Sequence, residues 1–110
     1  YYSKHLKKIV KPPIIKENFY SSWAQYSILL KNKNERNQLV KFLEKNNIPS
    51  VVFYKKIFSD LDLYSKLNKG KSFPNSQNIS NRILSIPMHP YIDKLEREIV
   101  VKTIHNFFKK

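Results

Sequence analysis

The sequence predicts an α/β (α+β) domain: a two-layer sandwich in which helices cover one face of a small, mainly antiparallel three-stranded sheet. Three short runs rich in β-branched and aromatic residues, "WAQYSILL", "IPSVVFY" and "RILSI", supply the strands. Two longer runs with apolar residues at helical spacing, each opened by a capping residue, supply the helices. The order strand, helix, strand, long loop, strand, helix shows no repeat and no break in composition, so residues 1–110 read as a single domain.

The elements follow in order. Residues 1–11 read as the end of a helix that Pro12 and Pro13 stop, because neither can donate an amide and Pro13 pushes Pro12 toward extended geometry. The stretch "IIKENFYSS" is irregular. In residues 23–30, Tyr26, Ile28 and Leu30 recur at period two and Leu29 is apolar on the other side, which predicts a strand partly buried on both faces. Asn34 is the expected cap of the next helix, with Glu35 in its first turn and Leu39, Val40 and Leu43 on its inner stripe. Asn46-Asn47 closes it, since asparagine tolerates the left-handed conformation. "IPSVVFY" is the second expected strand. A short helix is expected after Ser59 or Asp60, and "NKGKSFPNSQNIS" reads as loop. After the third strand, "IPMHPYI" is a strand-to-helix corner fixed by Pro87 and Pro90. Asp93 and Glu96 then form a capping box for a helix with the stripe Leu95, Ile99, Val100, Ile104, Phe107 and Phe108.

Composition excludes several functions. The one glycine, Gly70, rules out glycine-rich phosphate loops, which need several glycines in close order. Without cysteine there is no disulfide framework, thiolate metal site or thiol nucleophile. No apolar run approaches the roughly 18 residues of a membrane span, and the first residues lack the apolar core of a signal peptide, so a cytoplasmic chain with no membrane partner is expected. His5, His89 and His105 stand at no metal-ligand spacing, and no nucleophile elbow or placed carboxylate pair occurs, so neither metal nor catalytic residues are expected within these residues. The formal charge of +13 raises nucleic acid as a partner. Only Arg36, Arg82 and Arg97 among the 21 basic residues are arginines, and the lysines are dispersed among eleven asparagines. That pattern reads as a solvated surface, with no specific nucleic-acid site.

Specific strings carry more. "SSWAQYSILL", "IPSVVFY" after a capped helix, Tyr64 ten residues on, and "FPNSQNISNRILSIPMHPYI" before a final amphipathic helix resemble the C-terminal domain of the DegT/DnrJ/EryC1/StrS sugar aminotransferases. The resemblance spans essentially the whole chain. It implies the small C-terminal domain of an aspartate-aminotransferase-fold enzyme, with pyridoxal 5'-phosphate in the parent enzyme. It also implies that the Schiff-base lysine and the other cofactor-binding groups lie in a large N-terminal domain outside these residues, leaving no cofactor on this chain alone. The implied partners are that large domain, a nucleotide-sugar substrate and a second copy in a homodimer. The implied reaction moves an amino group from an amino acid, glutamate, to a nucleotide-linked keto-sugar in surface polysaccharide biosynthesis.

In such a domain the segment after the second strand walls the substrate cleft, with a His-Tyr-Pro motif and a later histidine and tyrosine. Tyr54 and Tyr64 match that pattern; Phe53 stands at the first histidine, Lys55 and Ile57 at prolines, and Ser59 at the second histidine. The resemblance therefore assigns substrate contact to Phe53, Tyr54, Lys55 and Tyr64. Two other classes remain open on the residues: a free-standing basic module for nucleic acid or other polyanions, motivated by the charge, and a non-catalytic interaction domain of a degenerate aminotransferase, motivated by the missing histidines. Trp23, Tyr26, Phe53, Tyr54, Phe58 and Tyr64 are more aromatic surface than two helices need cover, so a partner domain or chain is expected over them.

Overall fold

A computed structural model of the chain describes residues 1–109. The elements are α1 (Tyr2–Leu6), β1 (Tyr26–Leu29), α2 (Lys33–Lys45), a 3-10 turn (Phe58–Asp60), α3 (Asp62–Ser65), α4 (Pro74–Arg82), β2 (Ile83–Ile86) and α5 (Lys94–Phe108).

Among the described residues the sheet has two strands, not the three expected. β1 and β2 run antiparallel with Tyr26 opposite Ile86 and Ile28 opposite Leu84. These four side chains are buried in the core. On the opposite pleat, Ser27 and Ser85 share a hydroxyl hydrogen bond of 2.8 Å. The expected strand "IPSVVFY" is reduced to one rung, Val51 against Ser85, with both amide bonds made at 3.0 and 2.8 Å. Antiparallel bonded pairs recur every second residue, so the neighbouring rungs would be Pro49 with Pro87 and Phe53 with Ile83. The first pair has no amide hydrogen to give. In the second, the Ile83 amide is already bonded to the Ile79 carbonyl as the cap of α4. At the far side of β1, Lys11 pairs with Leu29 at 3.1 and 2.9 Å, and Pro12 and Pro13 follow.

The sequence identifies α2 correctly, but its cap is Asn32 and not Asn34: the Asn32 side chain accepts the Glu35 amide at 2.9 Å. Glu35 in turn accepts the Lys31 amide at 2.9 Å. Asn47, at φ 55°, takes the left-handed turn that ends the helix. Leu39 and Leu43 are fully buried and Val40 packs at the margin.

In α5 the Asp93 and Glu96 capping box forms, with bonds of 2.7 and 2.9 Å. The buried face is Val100, Val101 and Ile104, flanked by Phe107 and Phe108. Leu95 and Ile99, expected on the inner stripe, are 63% and 47% exposed. The inner face is therefore turned toward Val101.

α1 is short, but it anchors the corner that the prolines bracket. Tyr2 and Leu6 are buried against α5, and the Tyr2 hydroxyl donates to the Pro87 carbonyl at 3.0 Å. Burial pushes the Tyr2 phenol up to about 12. The core joins Leu6, Ile28, Leu30, Leu39, Leu43, Leu84 and Ile104, drawn from both strands, the residue after β1 and three helices.

The largest departure from the expected pattern is α4, which occupies residues read as loop as far as Ser80 and takes Arg82 from the third expected strand. Pro74 stands at its first turn, where a missing amide costs nothing. The rest, Asn-Ser-Gln-Asn-Ile-Ser-Asn-Arg, is mostly asparagine and serine, which are poor helix formers, and has no apolar stripe. Tertiary contacts hold it instead: it packs on α2, and the Arg82 Nε donates to the Leu30 carbonyl at 2.6 Å.

Candidate functional site

A cleft of about 900 Å³ opens between the segment 53–61 and one face of α4 with its flanks. Phe53, Tyr54, Lys55, Lys56 and Phe58 come from the segment. Phe73, Ser76, Ile79, Ser80 and Ile83 come from α4 and its ends, and their spacing of three and four residues is that of one helix face. This spacing and Pro74 at the first turn are the sequence signals for the helix. They are faint because the face it presents looks into the cleft, so no core-facing apolar stripe accompanies them.

The chain reaches the cleft from the Val51 rung. Beyond it, residues 52–56 make no backbone-to-backbone hydrogen bond among the described residues. A side chain holds the segment in place of the ladder. Ser80, 6% exposed, donates its hydroxyl to the Tyr54 carbonyl at 2.8 Å. Tyr54 then projects outward, 71% exposed, with the Phe53 ring 5.5 Å away. The Phe58 ring is 74% exposed at the same cleft.

Three of the four expected site residues, Phe53, Tyr54 and Lys55, are brought together on the cleft wall. Tyr64 stands apart: it sits on α3, outside the lining, with its ring edge-on to Phe58 at 5.7 Å. Sequence reasoning missed Ser80, whose buried hydroxyl carries no motif.

The electrostatics are one-sided. Lys55 and Lys56 are the charged groups of the lining, and no carboxylate is among them. The site therefore favours an anionic ligand with an apolar or planar part, the aromatic rings supplying the contact area. A buried cation lies nearby in α2: Arg36, 4% exposed, reaches the Ile83 carbonyl at 3.5 Å and the Asn37 side chain at 2.8 Å. Burial lowers its guanidinium from the ordinary value.

The donor set does not fit a pyridoxal phosphate held by these residues alone. The cofactor needs a lysine for its aldehyde, a carboxylate against its ring nitrogen and donors around its phosphate. The lining has no carboxylate, and Gly70 has nothing within 4 Å of the Cβ it lacks, so no close backbone cradle depends on it. No cluster of three or more metal-ligating side chains occurs among the described residues, and no helix there is long and apolar enough to cross a membrane.

Comparison with known proteins gives the class first. The fold is that of an aminotransferase domain. A DegT DnrJ EryC1 StrS aminotransferase from Brucella abortus superposes with a TM-score of 0.86 at 35% identity, over 99% of this chain and 29% of that one. DesV from S. venezuelae, in complex with a ketimine intermediate, superposes with a TM-score of 0.87 at 14% identity, over 99% of this chain and 29% of its own. The family follows: residues 1–105 match the DegT/DnrJ/EryC1/StrS aminotransferase family, and the chain belongs to it. A dTDP-3-amino-3,6-dideoxy-alpha-D-galactopyranose transaminase from Aneurinibacillus thermoaerophilus is 25% identical over 97% of this chain and 29% of its own length. The chain thus spans under a third of the relatives it matches.

Proposed function

We propose that this chain is the C-terminal small domain of a pyridoxal-phosphate-dependent sugar aminotransferase, and that it walls the substrate cleft of the whole enzyme. The reaction transfers an amino group from an amino acid, glutamate, to a nucleotide-linked keto-sugar in surface polysaccharide biosynthesis, in the cytoplasm. One observation carries the reading: within a chain of this family, Phe53, Tyr54 and Lys55 converge on a cationic, aromatic-lined cleft that has no catalytic set of its own. The cofactor, its lysine and the dimer interface belong to the large domain and a second subunit. In the whole enzyme, Tyr54 and Phe53 supply contact area to the sugar nucleotide, and Lys55 faces its anionic part. Supporting this, relatives of this chain are about three and a half times longer, which leaves room for a large domain.

The test is expression of the full-length gene product and assay of glutamate-dependent amination of dTDP- and UDP-linked 3-keto-sugars. Turnover with the pyridoxal absorption band present is the expected result. A full-length protein that lacks a Schiff-base lysine, or that turns over no amino donor, overturns the reading. It would favour the second reading, a non-catalytic interaction domain, for which Phe53 and Ser59 in place of histidines speak.

A further inference from the structure

We infer that Ser80 is the positioning residue for the Phe53-Tyr54 wall of the cleft. The inference rests on the proposed role of that wall in substrate binding.

The segment is held at its root, where Val52 packs against the core beside the Val51 rung, and at one point beyond it. At one end Val51 is fixed to Ser85 by two backbone bonds of 3.0 and 2.8 Å. From 52 to 56 no backbone-to-backbone bond follows among the described residues, and ladder rungs on either side of Val51 are blocked, by Pro49 and Pro87 and by the Ile83 amide already engaged in α4. The second point is the Ser80 hydroxyl, 2.8 Å from the Tyr54 carbonyl. Ser80 is the buried residue of α4, and its neighbours on the same helix face, Ser76, Ile79 and Ile83, form the opposite cleft wall. One hydroxyl therefore sets the spacing between the two walls. A longer or absent bond lets Tyr54 move away from α4 while the core, which the segment meets at Val52 and not at 53–56, stays as it is.

A hydrogen bond between an uncharged hydroxyl and a carbonyl is worth about tenfold in an equilibrium it controls. The effect falls on binding of the nucleotide sugar that the wall contacts, and less on glutamate, which has no planar part for the rings to cover.

The experiment uses the full-length enzyme with Ser80→Ala, Ser80→Thr, Tyr54→Ala and the double variant. The probes are two stable nucleotide sugars, UDP-N-acetylglucosamine and dTDP-glucose, followed by calorimetry, with the glutamate half-reaction and the thermal midpoint read in parallel. Ser80→Ala is expected to weaken the tighter-binding probe about tenfold, to leave the glutamate half-reaction within twofold, and to add nothing in the Tyr54→Ala background; Ser80→Thr, which keeps the hydroxyl, restores affinity. If Tyr54→Ala weakens binding and Ser80→Ala does not, the positioning role is overturned while the reading of the site stands. Equal losses in both half-reactions with a lowered thermal midpoint assign Ser80 to stability alone and likewise overturn it. Unchanged affinity in both single variants, or a wild-type enzyme that binds neither probe, removes the site reading and this inference together.

Discussion

Tyr2 shows how much one side chain contributes here. Its ring fills the core between β1 and α5, 5.1 Å from the ring of Tyr26, and its hydroxyl ties α1 to the Pro87 corner. Tyr2→Phe keeps the ring and removes the bond, with an expected loss of about 1 kcal/mol in unfolding measurements. The phenol's raised value gives a pH dependence of known sign. The unfolded chain releases this proton near 10 and the folded chain near 12, so the unfolded state binds fewer protons between them and stability falls as pH rises through that window. Below pH 10 the contribution is complete. Thermal midpoints measured from pH 9 to 12 are expected to fall, and less steeply in Tyr2→Phe. A slope unchanged by the substitution would contradict the assignment. In the sequence, Tyr2 is one apolar residue in a terminal helix; its partner lies 85 residues away, and no local pattern announces a bond of that span.

Among the elements, those whose signals are local were legible. The Asp93 capping box, the Asn47 left-handed close and the Leu39 and Leu43 stripe are all written within a few residues of where they act. Asp93→Ala removes the acceptor for the Glu96 amide at 2.7 Å. It is expected to cost about 1 kcal/mol and to lower the thermal midpoint by several degrees in a domain of this size. Asp93→Asn, which keeps an acceptor, should lose much less, and equal losses in the two variants would show that the cap is not what stabilises the helix. Elements fixed by distant partners were not legible. α4 is a helix because Arg82 reaches Leu30 and its body packs on α2, against the preference of its own asparagines and serines. "IPSVVFY" has the composition of a strand, yet the rungs beside Val51 fail at Pro49 facing Pro87, 38 residues apart, and at Ile83, whose amide caps α4. The cleft residues follow the same division. Phe53, Tyr54 and Lys55 are contiguous and visible as a string; Ser80 reaches the site only through a helix that its own sequence does not announce.

At the scale of the whole molecule, a buried core coexists with apolar side chains left in water. Ile14, Phe19 and Tyr20 are 72% or more exposed, and Leu95 and Ile99 join them on α5. Such surface fits a domain that is covered in a larger protein. The +13 charge is a separate matter. Spread over lysines with few partners, it is expected to give weak, sequence-independent attraction to duplex DNA, with binding gone at about 150 mM salt as counterion release loses its advantage. Tight binding that persists at that salt, measured by fluorescence anisotropy, would restore the polyanion-binding module as the better description.

The prolines beside the two strands carry one more consequence. A pair of short β-strands with bare flanks is a template on which a second molecule can add its own strand and begin a fibril. Here each flank admits a single rung, at Lys11 and at Val51, and is then met by Pro12-Pro13 or by Pro49 facing Pro87. Among the described residues an incoming chain finds no row of free amides to pair with along these flanks. The same residues that leave the sheet unfinished keep it from growing into its neighbours.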